Sequence, residues 1–174
     1  MGGGRRSLTP ALPRRKGAIP EYMKSKKDNI AEYILYLWQI EDYLRAFPQE
    51  AEATQELKDL SEMMHREGIM DKGHLALAKN ALSELEELNA QLLNEDAMYR
   101  AAVIRLQPSL NLLKAKTDRP TMSDIEACLL LLYQIMLLKL QKREITPQTA
   151  DVQQRATQLL QFLSKTYYEN SRAV

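Results

Sequence analysis

The sequence predicts an all-α protein, a single up-and-down bundle of about six helices with helix 5 most buried. From about residue 30 onward, apolar residues recur at intervals of three and four, the period of an α-helix. No stretch alternates apolar and polar residues as a half-buried strand does. The chain has 174 residues, 45% of them hydrophobic, which is enough for one core without disulfides or a structural metal.

The first 22 residues differ from the rest and are predicted to be a disordered extension. Glycines and prolines punctuate them, and five basic residues against Glu21 give a net charge of +4. The remaining chain, residues 23–174, has 19 basic and 22 acidic residues, a net charge of −3. This break favours Met23 as the true start, with residues 1–22 an addition that is not native.

Charge and composition also bear on partners and compartment. A slightly acidic folded part lacks the basic surface that nucleic acid requires. The longest apolar stretch, Ala127 to Leu138, has 12 residues, whereas a membrane span needs about 20. The single cysteine, Cys128, lies in a leucine run, so no disulfide forms and a reducing compartment is indicated. We therefore expect a cytoplasmic protein without nucleic-acid or membrane partners.

Helix 1 is predicted over about Ile30 to Ala46, with Asn29 as N-cap and Glu32 closing a capping box. Helix 2, about Glu50 to Arg66, ends before Gly68, a C′ residue. The apolar stripe of helix 2 consists of Leu57, Leu60 and Met64. That of helix 3 consists of Leu75, Ala78, Leu82, Leu85 and Leu92. That of helix 4 consists of Tyr99, Val103, Leu106, Leu110 and Leu113.

Three local patterns predict a helix bend or a helix start in the second half of the chain. The stripe of helix 4 passes through Pro108, which predicts either a kinked helix or two abutting ones. Helix 5 opens with Ser123 and Glu126, a second capping box. Helix 6 begins with Thr146 as N-cap and Pro147 at the first helical position. Its buried stripe is Val152, Ala156, Leu159, Leu163 and Tyr167.

Helix 5 is apolar nearly all round. Leu130 and Leu137, a heptad apart, fall even within its only polar sector. Either the helix runs through the centre of the bundle, or a second copy covers these leucines. Because few residues remain to enclose about 20 helical positions, we expect a symmetric homodimer with Leu130 and Leu137 at its interface.

Glu41 lies in the middle of the apolar face of helix 1, beside Leu37 and Leu44. A lone buried carboxylate is costly, so Glu41 must have a partner. Arg45, one turn on, is the candidate, together with the tyrosines of this helix (Tyr33, Tyr36 and Tyr43). The favoured interpretation is a structural ion pair. The alternative is a ligand pocket lined by Tyr33, Trp38, Glu41 and Arg45.

Other patterns predict no chemistry. The pairs Glu62/His65 and Asp71/His74 have the carboxylate-x-x-His spacing of di-iron bundles. They come from one short region rather than opposed helices, so no metal is expected. His74 fits a residue at the start of helix 3, with Asp71 as its N-cap. The chain shows no glycine-rich phosphate loop or activated nucleophile, and we predict no catalytic residue and no cofactor.

Three separated motifs stand out in the sequence. They are residues 29–46, beginning Asn-Ile-Ala-Glu-Tyr; residues 64–75, Met-His-Arg-Glu-Gly-Ile-Met-Asp-Lys-Gly-His-Leu; and residues 125–149, ending Ile-Thr-Pro-Gln-Thr. Together they resemble a bacterial family catalogued only as a domain of unknown function. The resemblance covers about Lys24 to Tyr168 and implies an all-helical protein of this length that starts shortly before the first motif. It implies no activity, cofactor or binding residue.

Two functions remain open at this point. The leading one is a non-enzymatic helical bundle that acts through protein contacts, as a homodimer. The alternative is a bundle or enzyme that binds a small molecule, with a pocket near Trp38 and Glu41. A hollow of several hundred Å³ reached by either residue would favour the alternative, whereas an interaction module is expected to be packed through its centre.

Overall fold

A computed structural model describes residues 25–173, which form six α-helices and one short 3-10 helix and contain no β-strand. The predicted extension, residues 1–22, and the expected start at Met23 lie outside the described residues. In chain order the helices are α1 (Ile30–Ala46), the 3-10 helix (Pro48–Glu52), α2 (Gln55–Glu67), α3 (Ala76–Glu95), α4 (Ala97–Lys116), α5 (Asp124–Leu140) and α6 (Pro147–Arg172). The prediction of an all-helical bundle of six helices is confirmed.

The caps predicted from the sequence are present at three helices. The side chains of Asn29, Ser123 and Thr146 each accept a hydrogen bond from the backbone N–H three residues on, at 3.1 Å in all three cases. Gly68 ends α2 in the left-handed conformation, with φ of 68°, which glycine adopts without steric cost. These local signals are reliable because they involve only neighbouring residues.

Elsewhere the boundaries differ. Helix α2 begins at Gln55 rather than Glu50 because the side chain of Thr54 caps it, accepting from the N–H of Leu57 at 3.1 Å. The predicted N-cap of helix 3, Asp71, is wrong: Leu75 takes that position without a side-chain cap. Helix α4 runs through Pro108 as one helix rather than two abutting ones.

The predicted apolar stripes supply most of the core. In α4, all five predicted residues are buried. Four other members of the predicted stripes are only partly buried: Leu82, Leu92, Val152 and Tyr167. The spacing of three and four therefore identified the inward face of each helix, while the depth of burial depends on what packs above it.

Helix α1, not α5, is the most buried helix, so that prediction is wrong. Eleven of the 17 residues of α1 are buried, against seven of 17 in α5. Helix α1 packs against α2, α3, α5, α6 and the 3-10 helix, whereas the main packing partners of α5 are α1, α3, α4 and α6. The outer side of α5 is thus left partly open, although its sequence is apolar there.

Candidate functional site

A cleft of about 280 Å³ opens where α1, α5, the loop before α3 and the turn after α4 meet. Helix α1 contributes Trp38 and Asp42, and α5 contributes four residues between Glu126 and Gln134. The lining residues are Trp38, Asp42, His74, Thr117, Arg119, Glu126, Leu130, Tyr133 and Gln134. Of the four predicted pocket residues, Trp38 is the one that lines this cleft.

Glu41 lies directly behind this cleft and is fully buried, as predicted, but its predicted partner is wrong. Nδ1 of His74 lies 2.9 Å from Oε1 and 3.1 Å from Oε2 of Glu41. The N–H of Leu75 also donates to Oε2, at 3.4 Å. Burial raises the pKa of Glu41, and the hydrogen bond from His74 opposes that rise. When Glu41 is ionised, Nδ1 must be the donor, because carboxylate oxygens only accept.

Arg45 holds the loop that carries His74 instead of pairing with Glu41. Its Nε and Nη2 donate to the carbonyl of Ile69 at 3.2 and 3.0 Å, and Nη2 also donates to the carbonyl of Gly73. Its Nη1 lies 3.4 Å from Oδ1 of Asp42. Gly73 has φ of 99°, a backbone conformation that side-chain-bearing residues rarely adopt. Arg45 is therefore a positioning residue for the 68–75 loop.

Three aromatic rings form the floor of the cleft. The Trp38 and His74 rings are stacked, with centroids 4.9 Å apart and an interplanar angle of 24°. Tyr133 meets Trp38 edge-on, at 6.0 Å and 88°. Its hydroxyl donates to Oδ2 of Asp42 at 2.5 Å, and burial raises the pKa of Tyr133 far above its usual value. Tyr133 therefore remains protonated and fixes Asp42 at the edge of the floor.

Tyr33 does not belong to this site, so the predicted group of four residues is only partly brought together. Along α1, Tyr33 precedes Trp38 by five residues, which places the two about 140° apart around the helix. Burial raises the pKa of Tyr33, and the nearby positive charge of Lys26 opposes that rise. Tyr33 thus faces the other side of the bundle, near the ion pair of Lys26 with Glu84 at 2.7 Å.

The two predicted dimer residues on α5 have different surroundings. Leu137 is fully buried within the chain, which leaves no side-chain surface for a second copy to cover. Leu130 is half-buried and lines the cleft. On a straight helix the two lie only about 20° apart. They differ because the bundle closes over the end of α5 that holds Leu137 and opens into the cleft at the other.

Sequence patterns alone do not identify His74, Asp42 or Tyr133 as site residues. His74 fits the start of helix 3, and it does lie one residue before the N-cap, Leu75. The signal that could have found it is Glu41, whose position in an apolar face demands a donor from elsewhere in the chain. With only two histidines in the sequence, the loop histidine between Gly68 and Leu75 was one of few candidates.

The arrangement is suited to proton exchange and to stacking. The hydrogen bonds that His74 makes within residues 25–173 use Nδ1, which leaves Nε2 available to a molecule in the cleft. The His74 side chain is 37% exposed, although its carboxylate partner is fully buried. A buried carboxylate that orients a histidine fixes which nitrogen carries a proton, as in enzymes that use histidine as a base.

Other chemistry has less support in the part of the chain that the structure describes. There, no three histidine, cysteine, aspartate or glutamate residues are grouped so as to hold a metal ion. Burial raises the pKa of the Cys128 thiol to about 12, which makes it a poor nucleophile. Between residues 25 and 173, no helix is both long and apolar enough to cross a membrane.

Comparison with known proteins gives a family and nothing more specific. No curated protein and no solved structure matches the chain. A family described as a domain of unknown function (DUF4924) matches residues 22–57 and 48–173, which together include all six helices. The resemblance drawn from the three sequence motifs is thereby confirmed, and the chain belongs to this family, the domain of unknown function DUF4924.

Proposed function

We propose that this chain is a small-molecule-binding bundle whose ligand occupies the cleft beside Trp38. The observation that carries the proposal is the cleft itself. Its volume of about 280 Å³ is close to the lower end of the range of ligand pockets, roughly 300 Å³. A hollow reached by Trp38 is the feature expected of a ligand binder and not of a bundle packed through its centre.

The lining indicates what kind of ligand fits. The floor offers aromatic surface from Trp38, His74 and Tyr133, which favours a flat molecule. The charged groups at the cleft are largely paired: Glu126 accepts from Nη2 of Arg119 at 2.8 Å, and Asp42 lies 3.4 Å from Nη1 of Arg45. No excess of one charge is left to select an ion. We therefore infer a small, uncharged, planar molecule with a polar group that hydrogen-bonds Nε2 of His74.

The cost of placing Glu41 supports a functional interpretation of the site. Burying a carboxylate raises its pKa and contributes little net stability even when it is paired. In a purely structural pair we would expect both side chains to be buried, whereas the His74 side chain is 37% exposed in the cleft. Perturbed carboxylates next to clefts are typical of functional sites, where they hold another group in one orientation.

The test uses the chain's two histidines as reporters. His74 lines the cleft, while His65 is exposed on α2 and serves as an internal control. A library of small planar molecules is screened by NMR on protein labelled at histidine and tryptophan. We expect some members to shift the signals of His74 and Trp38, the only tryptophan, without shifting His65.

A cleft-filling variant completes the test. Leu130→Trp is expected to abolish those shifts, because Leu130 lines the cleft. Leu132→Trp, on the same helix and half-buried, is the matched control and should leave them intact. Shifts that persist in Leu130→Trp, or a library that never moves His74 at millimolar concentration, would rule out the cleft as a ligand site.

A second candidate function is contact with other proteins, and it is favoured by large apolar side chains that α4 exposes to solvent, chiefly Met98, Ile104 and Leu112.

The homodimer expected from the sequence of α5 is a further proposal. Because Leu137 is fully buried, it is supported only by Leu130, which is half-buried. Sedimentation equilibrium at high micromolar concentration tests the dimer: a dimer that Leu130→Lys dissociates would support the proposal, and a monomer would rule it out.

We also propose a cytoplasmic location, which the buried free thiol of Cys128 fits.

A further inference from the structure

Helix α4 carries apolar residues on its solvent side, which is unusual for a surface helix. The side chain of Met98 is 85% exposed, that of Ile104 63% and that of Leu112 58%. The exposed positions of α4 also include five small or apolar residues, beside the polar Arg100, Arg105, Asn111 and Lys116; the five are Ala97, Ala101, Ala102, Pro108 and Ala115. Helix α4 contains no acidic residue. Such a face is typical of a surface that another molecule covers.

Two hollows follow one another along the seam between α4 and α6. The larger, of about 500 Å³, is lined by Asp96, Met98, Tyr99, Ala102, Arg105, Arg155, Gln158, Leu159 and Phe162. The smaller, of about 270 Å³, is lined by Ser109, Leu112, Leu113, Lys116, Leu131, Gln148, Thr149 and Val152. Residue numbers rise along α4 as they fall along α6, so one groove runs between two antiparallel helices. We call it the α4–α6 groove.

The spacing of the hollows matches a helix. The centres of their lining residues are separated by about twelve residues on α4 and about nine on α6, which corresponds to roughly 13–18 Å at 1.5 Å per residue. A separation of eleven residues on a docked helix falls within this range and is almost a whole number of turns, since it rotates the helix by about 1100°, three turns and 20°. An amphipathic helix laid along the groove would therefore place side chains i and i+11 in the two hollows, with i+4 and i+7 between them.

The charges beside the groove are mainly positive. Arg105 and Arg155 line the larger hollow and Lys116 the smaller one. Arg155 forms an exposed ion pair with Asp151 at 3.1 Å, and Asp96 caps α4 through the N–H of Tyr99 at 2.9 Å. The residues that line the two hollows thus have three positive charges and one negative charge. This basic seam lies on a chain whose residues 23–174 have a net charge of −3.

We propose that the α4–α6 groove binds an amphipathic helix of another protein, with two apolar anchors three turns apart and acidic residues on both flanks. A small ligand would fill one hollow and leave the other empty. A second copy that covered the groove with its own α4 would bring together two helices that each have four basic residues and no acidic one. Charge complementarity therefore selects an acidic helix. The proposal is independent of the cleft beside Trp38.

The test uses two designed peptides of about 18 residues, stapled so that they are helical in water. Both have leucines at the i, i+4, i+7 and i+11 positions; one has glutamates on the flanks and the other lysines. With the full chain, fluorescence anisotropy at low salt should show the glutamate peptide binding at least tenfold more tightly. Raising the salt should weaken that binding, because exposed charges are screened.

Variants assign the binding to the groove. Arg105→Glu with Arg155→Glu should reverse the preference between the peptides, whereas Lys58→Glu with Lys79→Glu, exposed on α2 and α3, should not. Met98→Asp with Leu112→Asp should abolish binding, while Leu77→Asp, at an exposed leucine on α3, should preserve it. These four variants change exposed or groove-lining side chains, so each one is expected to fold, which circular dichroism checks.

Three results would overturn the proposal. The first is equal binding of the two peptides, which would indicate apolar adhesion without charge selection. The second is no binding of either peptide at concentrations up to about 1 mM, a level at which binding free energy is only about 4 kcal/mol. The third is a concentration-dependent dimer of the chain that Met98→Asp with Leu112→Asp dissociates, because a second copy would then be the occupant.

Discussion

Helices α1 and α5 have the same length, 17 residues, yet they bury very different shares of their side chains. Helix α5 is the more apolar in sequence, with four consecutive leucines at positions 129–132, while α1 includes Glu41, Asp42 and Arg45. Nevertheless α1 buries eleven residues and α5 seven. Apolar sequence determines how much a helix can bury, whereas its neighbours determine how much it does bury.

The neighbours of α1 come from the chain that follows it. The 3-10 helix and α2 pack against it, and the loop between Gly68 and Leu75 is bound to its Arg45. That loop also supplies the donor that allows Glu41 to be buried. The cleft lies where this polar end of α1 meets the less covered side of α5. The same difference in enclosure thus creates the candidate site.

The largest difference in the free energy of unfolding is expected between two substitutions within α5, a heptad apart. Leu137→Lys would bury an unpaired ammonium and should unfold the chain or cost more than about 4 kcal/mol. Leu130→Lys should cost less than about 1.5 kcal/mol, because its ammonium can reach water through the cleft. Urea unfolding measures both. Equal losses would show that α5 is enclosed along its whole length.

A direct comparison of the two helices comes next. Leu37→Ala removes a fully buried side chain from α1 and should cost about 2–5 kcal/mol. Leu132→Ala, at a half-buried position of α5, should cost about half as much or less, since part of its surface already meets water. Both values come from denaturant midpoints. A larger loss at Leu132 would mean that a second molecule covers α5 in solution.

How much the sequence could predict follows from the range of each interaction. The caps at Asn29 and Ser123 depend on residues three apart, so spacing alone identified them. The burial of Glu41 was also predictable, because it lies on an apolar helical face. Its partner was not, since His74 is 33 residues away and reaches Glu41 only when the loop folds back. Enclosure depends on the packing of several helices and has no local pattern.

The polar centre of α1 gives a pH-dependent prediction. Burial raises the pKa of Glu41 in the folded state above its unfolded value, so the folded state binds this proton more tightly. The associated stability is present below the unfolded value, about 4.3, and is lost as the pH rises through the folded value. Each unit of elevation corresponds to about 1.4 kcal/mol.

Glu41→Gln isolates this contribution, because glutamine does not ionise. We expect the variant to become more stable relative to the unmodified chain as the pH rises from about 4 to 8, as measured by urea unfolding at each pH. The matched control is Glu62→Gln on the exposed side of α2, which should show no such trend. A relative stability that falls with pH would mean that His74 stabilises the ionised carboxylate more than burial penalises it.

The smallest difference in stability between α1 and α5 is expected at their N-caps, which have the same geometry. Asn29 caps α1 and Ser123 caps α5, each accepting one N–H at 3.1 Å. Asn29→Ala and Ser123→Ala should each cost about 1 kcal/mol, and the two losses should agree within a few tenths, because a cap acts on the first turn alone. Thermal unfolding measures both. If Asn29→Ala costs several times more than Ser123→Ala, enclosure affects even the first turn of α1, and the separation between local signals and packing drawn from these helices is incorrect.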